Sequence, residues 1–219
     1  MNWINKDTEI YCSFAKKAGN TGCQMMNSAF YYYGLNKIYK SFSVDNIKDA
    51  VNAVKTLNIK GFAITMPYKK QVLEFIDEMD DNVKAIGAAN TVINTDGHLR
   101  AYNTDFLAAR KLLEQYDSMV FFKNSYILGN GGYASAVREA FRHYNIEPIT
   151  ITRDNWHRIK DIEDSLIYNC TPSQNWPRNK SNTVIDCQVH TTTGHKLASM
   201  QAAHQFKLYT NLKFPYTNG

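Results

Sequence analysis

Four cysteines in 219 residues, with no C-x-x-C pair among them, leave little for a disulfide framework or a structural zinc. Cys12, Cys23, Cys170 and Cys187 are scattered along the chain, and His190 and His195 lack further ligands near them, so no metal site is expected. No stretch approaches the roughly 20 apolar residues of a membrane span, which argues against a membrane partner. The opening "MNWINKDTEIYC" is polar and has no apolar signal region. Together with the scattered thiols, this points to a cytoplasmic protein with reduced cysteines. No Lys/Arg run exceeds two residues, and the formal charge of +5 is modest. Nucleic-acid binders usually cluster their basic residues on one face, so a small anionic molecule is the better match. There is no internal repeat and no low-complexity segment.

What is present suits an ordinary globular protein, with 44% hydrophobic and 21% charged residues. The 14 Tyr and 11 Phe fall mostly inside periodic stretches such as "AFYYYGL" and "YKSF", and are assigned to core packing rather than base stacking. Strand and helix patterns alternate. "TEIYCSF" (8–14), "KIYKSFSV" (37–44) and "IKGFAIT" (59–65) read as strands, and 23–34 as a helix. Asp45 is placed to cap "NIKDAVNAVKTL", where Ile47, Ala50, Val51, Val54 and Leu57 recur at helical spacing. Helices are expected near 69–76 and 79–87, then a strand "NTVINT" and a turn at Asp96-Gly97. The second half restarts after "FFKN", with strands at 125–129, 147–152, 165–170 and 182–187, a helix at 132–144, and a last helix near 197–210. Such alternation predicts mostly parallel sheets with helices on both faces. The join is expected in the helix 106–116.

Two constellations carry chemistry. In "ILGNGGYASAV" a strand ends at Gly129, and Gly129-x-Gly131-x-x-Ala134 satisfies the dinucleotide fingerprint with a helix following. The first Gly allows the tight turn, the second lets backbone approach a pyrophosphate, and the small third residue lets helix pack on strand. Gly129, Asn130, Gly131, Gly132, Tyr133 and Ala134 are therefore candidate cofactor contacts. At the end of the next strand, "TITRDNWHR" offers Thr152, Arg153 and Arg158. Two cations there suit the 2′-phosphate of NADP, while Asp154 would suit the ribose of NAD. The second constellation joins "ITMPYKK" (64–70), "GAANTV" (87–92) and "AYNTDF" (101–106). It supplies a cation, Lys69, a carboxylate, Asp105, and polar groups at Thr65, Asn90 and Thr104. All sit at strand ends or turns, where an open α/β sheet holds its ligand. That mixture suits a sugar-like hydroxy acid.

These stretches resemble the shikimate dehydrogenase family, whose motifs run G-x-N-V-T-x-P-x-K, A-x-N-T, N-T-D and G-x-G-G-A. "NCTP" (169–172) is similar to the family's later Asn-Ala-Thr, and "SMQAAHQF" (199–206) to its closing M-L-x-x-Q-A-x-x-x-F. The resemblance covers nearly the whole chain, and is strongest to the divergent shikimate dehydrogenase-like branch, with "NKDT", "MPYK" and "RAYNTD". It implies an α/β fold of two lobes. An N-terminal substrate and catalytic lobe would take 1–104 plus a C-terminal helix, 197–219, that returns to it. A compact Rossmann-type NADP lobe would take 105–196. It also implies Lys69 and Asp105 for catalysis; Asn20, Thr65, Asn90 and Gln201 for substrate; and Asn169 and Thr171 beside the cofactor, where they would otherwise simply close a turn. The implied activity is reversible hydride transfer between NADPH and the ketone of 3-dehydroshikimate or a related cyclic hydroxy acid, within aromatic amino acid biosynthesis, by a monomer or homodimer. A protonated Lys69 beside a carboxylate would stabilise charge on the ketone oxygen and give it a proton; in oxidation, Asp105 or neutral Lys69 could accept one.

The chain departs from the family pattern in four places. The Ser-x-Ser that binds the substrate carboxylate is replaced by Asn20-Thr21-Gly22, and the Asn of N-V-T by Ala63. Tyr133 stands where the glycine motif has a small residue, and is expected to crowd the pyrophosphate. Between "VIDC" and "SMQAAHQF" only "QVHTTTGHKLA" remains of a longer stretch. These losses keep open a second reading, a shortened paralogue that binds a small ligand or partner without turnover.

Overall fold

The computed structural model describes residues 4–116 and 122–216. Residues 217–219 of the expected last segment and Phe121 of "FFKN" lie outside them. The chain forms two compact units: the residues up to Thr104 together with those from Gln201 on, and Asp105–Met200.

The first unit contains β1 (Glu9–Ala15), α1 (Thr21–Tyr32), β2 (Lys37–Ser43), α2 (Ile47–Thr56), β3 (Gly61–Ile64), β4 (Glu78–Met79), α3 (Asp81–Ile86), β5 (Thr91–Thr95) and β6 (His98–Tyr102). Its sheet runs β2-β1-β3-β5-β6-β4. It is mixed rather than mostly parallel, because β5 is antiparallel to both β3 and β6. The reason is local: Asp96 and Gly97 both take positive φ, 50° and 93°, which makes a hairpin turn and folds β6 straight back. Two strands, β4 and β6, were not expected. The expected helix near 69–76 is a 3-10 turn at Gln71–Phe75.

Alternation along the strands divides the core. Cys12, Phe14, Phe62, Ile64 and Val92 face α2 and its neighbours, and Ile47, Ala50, Val51 and Val54 form the buried stripe of α2. Leu57 lies past the end of that helix and is exposed. The helix is capped by Asn46, whose side chain accepts the Lys48 N–H at 2.9 Å; Asp45 pairs instead with Lys16. The other face carries Tyr11 and Tyr39 against Met26, Ala29 and Phe30 of α1 and Phe206 and Tyr209 of the last helix. Gly61 permits that docking, since a Cβ there would lie 2.8 Å from the Tyr209 ring. Phe30 is core, but Tyr31 and Tyr32 are 73% and 63% exposed, so "AFYYYGL" is only half buried.

The second unit contains most of α4 (Thr104–Leu113), then β7 (Ser125–Leu128), α5 (Gly132–Arg142), β8 (Ile149–Ile151), β9 (Leu166–Asn169) and β10 (Thr183–Asp186). Its sheet is wholly parallel, in the order β10-β9-β7-β8. Ala136, Val137, Ala140 and Phe141 form the buried face of α5, as its spacing predicts. Leu128, Ile151 and Ile167 pack on the opposite side with Ile159, Ile162 and Trp176, from a 3-10 turn at Trp156–Asp161 and the loop after β9. The last helix, α6 (Thr192–Thr210), starts five residues before the expected position, and the change of unit falls inside it at 200/201. No described helix is long and apolar enough to cross a membrane.

Candidate functional site

In the first unit, parallel strands β2, β1 and β3 end along one edge of the sheet, and the pairing lines up side chains there. Ser41 lies opposite Ser13, Ser13 opposite Ala63, and Ala63 opposite Thr91. Directly paired residues share a face, so this row lies on the α1/α6 side, one side-chain step beyond Tyr39, Tyr11 and Gly61. Both helices run antiparallel to these strands. In α1, Asn27 clamps the backbone of Tyr39 with two 2.8 Å bonds, and Cys23, one turn earlier, touches Ser41. In α6, the Tyr209 ring packs tilted against Tyr11 with centroids 4.8 Å apart, and Gln205, one turn earlier, donates to Thr91 Oγ1 at 2.9 Å. Another turn takes the helix about 6 Å further, to Gln201. That is the level reached by Thr65, two residues past Ala63.

Asn90 is fully buried just before β5. Its backbone carbonyl accepts the Ile64 N–H at 2.8 Å. Its Oδ1 accepts Thr104 N–H at 2.8 Å and Thr91 Oγ1–H at 3.0 Å, and its Nδ2 donates to Thr104 Oγ1 at 2.9 Å. Most of the hydrogen-bonding capacity assigned to substrate is thus spent on holding Thr104. The Lys69 carbonyl accepts the Ala89 N–H at 2.8 Å, fixing the lysine backbone beside this knot. Asp105 follows Thr104 directly, in the first turn of α4, and is 2% exposed. Asn20 precedes α1, is exposed, and makes no side-chain cap.

In the second unit, the order β10-β9-β7-β8 reverses direction between β7 and β9, and the glycine turn leaves β7 at that switch point. Gly129 has φ +104°, and a Cβ on it would lie 2.9 Å from Thr171 Cγ2. Gly131 precedes α5 without a side-chain cap, and a Cβ there would meet nothing within 4 Å. Asn169 Oδ1 accepts from Thr171 N–H at 3.0 Å and Oγ1–H at 2.7 Å, so this pair closes the turn beside the glycines. On the other side, Thr152 N–H donates to Asn155 Oδ1 at 2.6 Å, and Arg153 and Arg158 stand exposed. The Tyr133 side chain turns toward the sheet, its hydroxyl 3.1 Å from that of Tyr168, rather than crowding the turn. Burial pushes both phenols well above their ordinary range, so both stay neutral.

Four neighbours are not marked by the sequence motifs. Gln205 lies four residues from Gln201, so helical spacing alone could have found it. Arg138 reaches from α5 to Asn130 Oδ1 at 3.2 Å and Thr150 Oγ1 at 3.0 Å. Ser13 and Ser41 are linked Oγ to Oγ at 2.9 Å, a pairing visible only once strand register is known. No cluster of potential metal ligands occurs among the described residues.

The fold and these strand ends define a two-unit α/β protein with a glycine turn of the dinucleotide-binding kind at a topological switch point. Residues 21–92 match the shikimate dehydrogenase substrate binding domain. Over 154 residues the chain is 39% identical to a shikimate dehydrogenase-like protein of Haemophilus influenzae, covering 69% of this chain and 56% of that one. Over 162 residues it is 40% identical to a shikimate dehydrogenase (NADP(+)) of Pyrococcus furiosus, covering 73% and 59%. Among solved structures, a shikimate 5-dehydrogenase-like protein superposes with a TM-score of 0.81 at 28% identity, covering 96% of this chain and 94% of that one. A shikimate dehydrogenase in complex with NADP+ gives 0.76 at 26%, covering 97% and 93%. The chain is thus similar to the shikimate dehydrogenase family, and its matches span a little over half the length of these two curated relatives.

Proposed function

We propose that the protein is an NADP-dependent oxidoreductase of the shikimate dehydrogenase type, acting on 3-dehydroshikimate or a related cyclic hydroxy acid. In this reading the unit ending at Thr104 takes the substrate and Asp105–Met200 takes the dinucleotide, in a cytoplasmic monomer or homodimer. The observation that carries it is the bonded sequence from the Lys69 carbonyl to Ala89, from Asn90 to Thr104, and along the chain to Asp105. It fixes the Lys69 backbone and Thr104, the residue before Asp105, relative to one buried asparagine. The relatives named shikimate dehydrogenase (NADP(+)) support the same reading.

The residues around the glycine turn fit a dinucleotide. The space beside Gly131 is open, the first N–H groups of α5 have no side-chain cap, and anions favour such a helix start. Arg153 and Arg158 would hold the 2′-phosphate, with Arg138 keeping Asn130 in place. Bound NADPH supplies a hydride to the carbonyl carbon of the substrate. Lys69 then stabilises the negative charge on the carbonyl oxygen and gives it a proton, so that ketone, NADPH and one proton become alcohol and NADP+. Asp105 orients the ammonium, and a proton from solvent restores it. Thr65 and Gln201 hold the ring hydroxyls, and Asn90 acts mainly by positioning Thr104.

The test is NADPH binding by fluorescence, followed by its absorbance with a panel of 3-dehydroshikimate and related cyclic keto acids. Oxidation with one of these supports the proposal. NADPH binding with no turnover on any favours the second reading, a shortened paralogue, which the committed Asn90 and the absent Ser-x-Ser also support.

A further inference from the structure

We propose that Ser13 and Ser41, on the floor of the first unit's sheet, anchor the carboxylate of the substrate. This rests on the function proposed above and names the residues that select its acidic end. Ser13 sits at a position where burial would be the rule, and Ser41 lies beside it on the edge strand β2. β1 has strands on both sides, and its face toward α1 and α6 is closed at Tyr11, which is 4% exposed. One side-chain step further on, Ser13, Ser41, Ala63 and Cys23 all remain partly exposed. The two helices therefore leave an opening above this row, and the row is floored by hydroxyls rather than by the β-branched residues such a strand favours.

The hydrogen bonds in this row give it a direction. The Tyr39 phenol, which burial holds in its neutral form, has Ser13 as its hydrogen-bonding neighbour. Ser13 Oγ donates to Ser41 Oγ at 2.9 Å. Cys23 Sγ lies 3.1 Å from Ser41 Oγ, where either atom can donate, and accepts the Ser41 N–H at 3.1 Å. With Ser13 donating to it, Ser41 turns its own proton to Cys23 or to a ligand. A chain of hydroxyls polarised in this way ends in a strengthened donor, which suits an anion.

Position supports the same ligand. Strands lie about 4.8 Å apart, so Ser13 and Ser41 are roughly 5 and 10 Å across the sheet from the β3 column that leads to Thr65 and Lys69. A six-membered ring with a carboxylate on one side and the reacting carbon on the other spans that gap. At the start of α1 the two positions of the expected carboxylate-binding serines hold the exposed Asn20 and Gly22, whose missing Cβ would lie 3.4 Å from the Tyr39 ring, with Thr21 exposed between them. The anchor has moved from the helix start to the strand floor.

The test is calorimetric titration of shikimate and its carboxamide into wild type and the Ser13→Ala/Ser41→Ala double variant, with NADPH affinity and melting temperature measured alongside. The wild type should bind the acid at least about tenfold more tightly than the amide. The double variant should lose about tenfold in affinity for the acid and bind acid and amide alike, with NADPH affinity unchanged. Ser41→Thr, which keeps the hydroxyl, should restore the preference. A double variant that binds shikimate as the wild type does overturns the anchor and leaves the oxidoreductase reading standing. A wild type that binds NADPH but neither shikimate nor any other cyclic acid overturns both.

Discussion

The two sheets present their strand ends in opposite ways. In the first unit the edge is made of side chains: Asn90, Thr91, Thr104 and Gln205 bond one another while buried, and the serine row lies beside them. In the second unit the edge is largely backbone: two glycines, an uncapped helix start and a turn closed by Asn169 and Thr171. A sheet that reads a small molecule needs donors fixed in direction, and buried hydrogen-bond networks provide that rigidity. A sheet that takes a pyrophosphate needs free N–H groups and room, which side chains would fill.

That contrast can be broken from either side. The largest effect is expected for Lys69→Ala, which should lower kcat by about 10²–10⁴ while leaving NADPH binding intact, as steady-state kinetics and fluorescence titration would show. Unchanged kcat would remove the acid role. Next comes Gly129→Ala on the backbone side. Its φ of +104° and the 2.9 Å approach of Thr171 should cost more than about 1 kcal/mol in a urea melt and weaken NADPH binding, with the serine row unaffected. Asn90→Ala should cost about 1–3 kcal/mol, because it leaves the buried Thr104 N–H and Thr91 hydroxyl without their acceptor. Its kcat should fall together with its stability, and Asn90→Asp, which keeps the Thr104 N–H acceptor, should recover part of both.

The smallest effect concerns pH. The Leu99 N–H, bonded to Asp77 at 2.7 Å, holds the Asp77 carboxyl below its usual range against the opposing effect of burial, with help from the nearby Lys55. A carboxylate with a depressed native pKa stabilises the fold above its unfolded value, about 3.9, and that contribution is lost as pH falls through the native value. Melting temperature should therefore drop less on acidification below about pH 4 in Asp77→Asn than in wild type. Equal slopes would show that the bond is energetically silent.

What the sequence reveals follows the same division. Backbone devices leave compositional marks, and so the glycine turn, its preceding strand and the buried face of α5 are all readable from spacing. The apolar stripe of α2 was equally plain, although its cap was assigned one residue early, because Asp45 and Asn46 are both good caps and only an ion pair with Lys16 separates them. Side-chain networks leave weaker marks. Asn90 and Thr104 could be named as polar residues near strand ends, yet their partnership spans fourteen residues and depends on the β5–β6 hairpin. The Asp96-Gly97 turn was recognised, but the strand after it was not, since "HLRAY" is short and carries two polar side chains. Ser13 and Ser41 look like any surface serine until register sets them side by side.

The last helix has a consequence for how the molecule is made. Tyr11 donates to the Tyr209 carbonyl at 3.1 Å, and Phe206 and Tyr209 complete the core beside α1. That bond joins residues 198 positions apart. During synthesis, the unit translated first cannot close its core until α6 has been made, whereas Asp105–Met200 has all its strands earlier. The folding order is thus set to run against the order of translation, and the half-built first sheet, with only α1 on one of its faces, is the stage most open to misassembly.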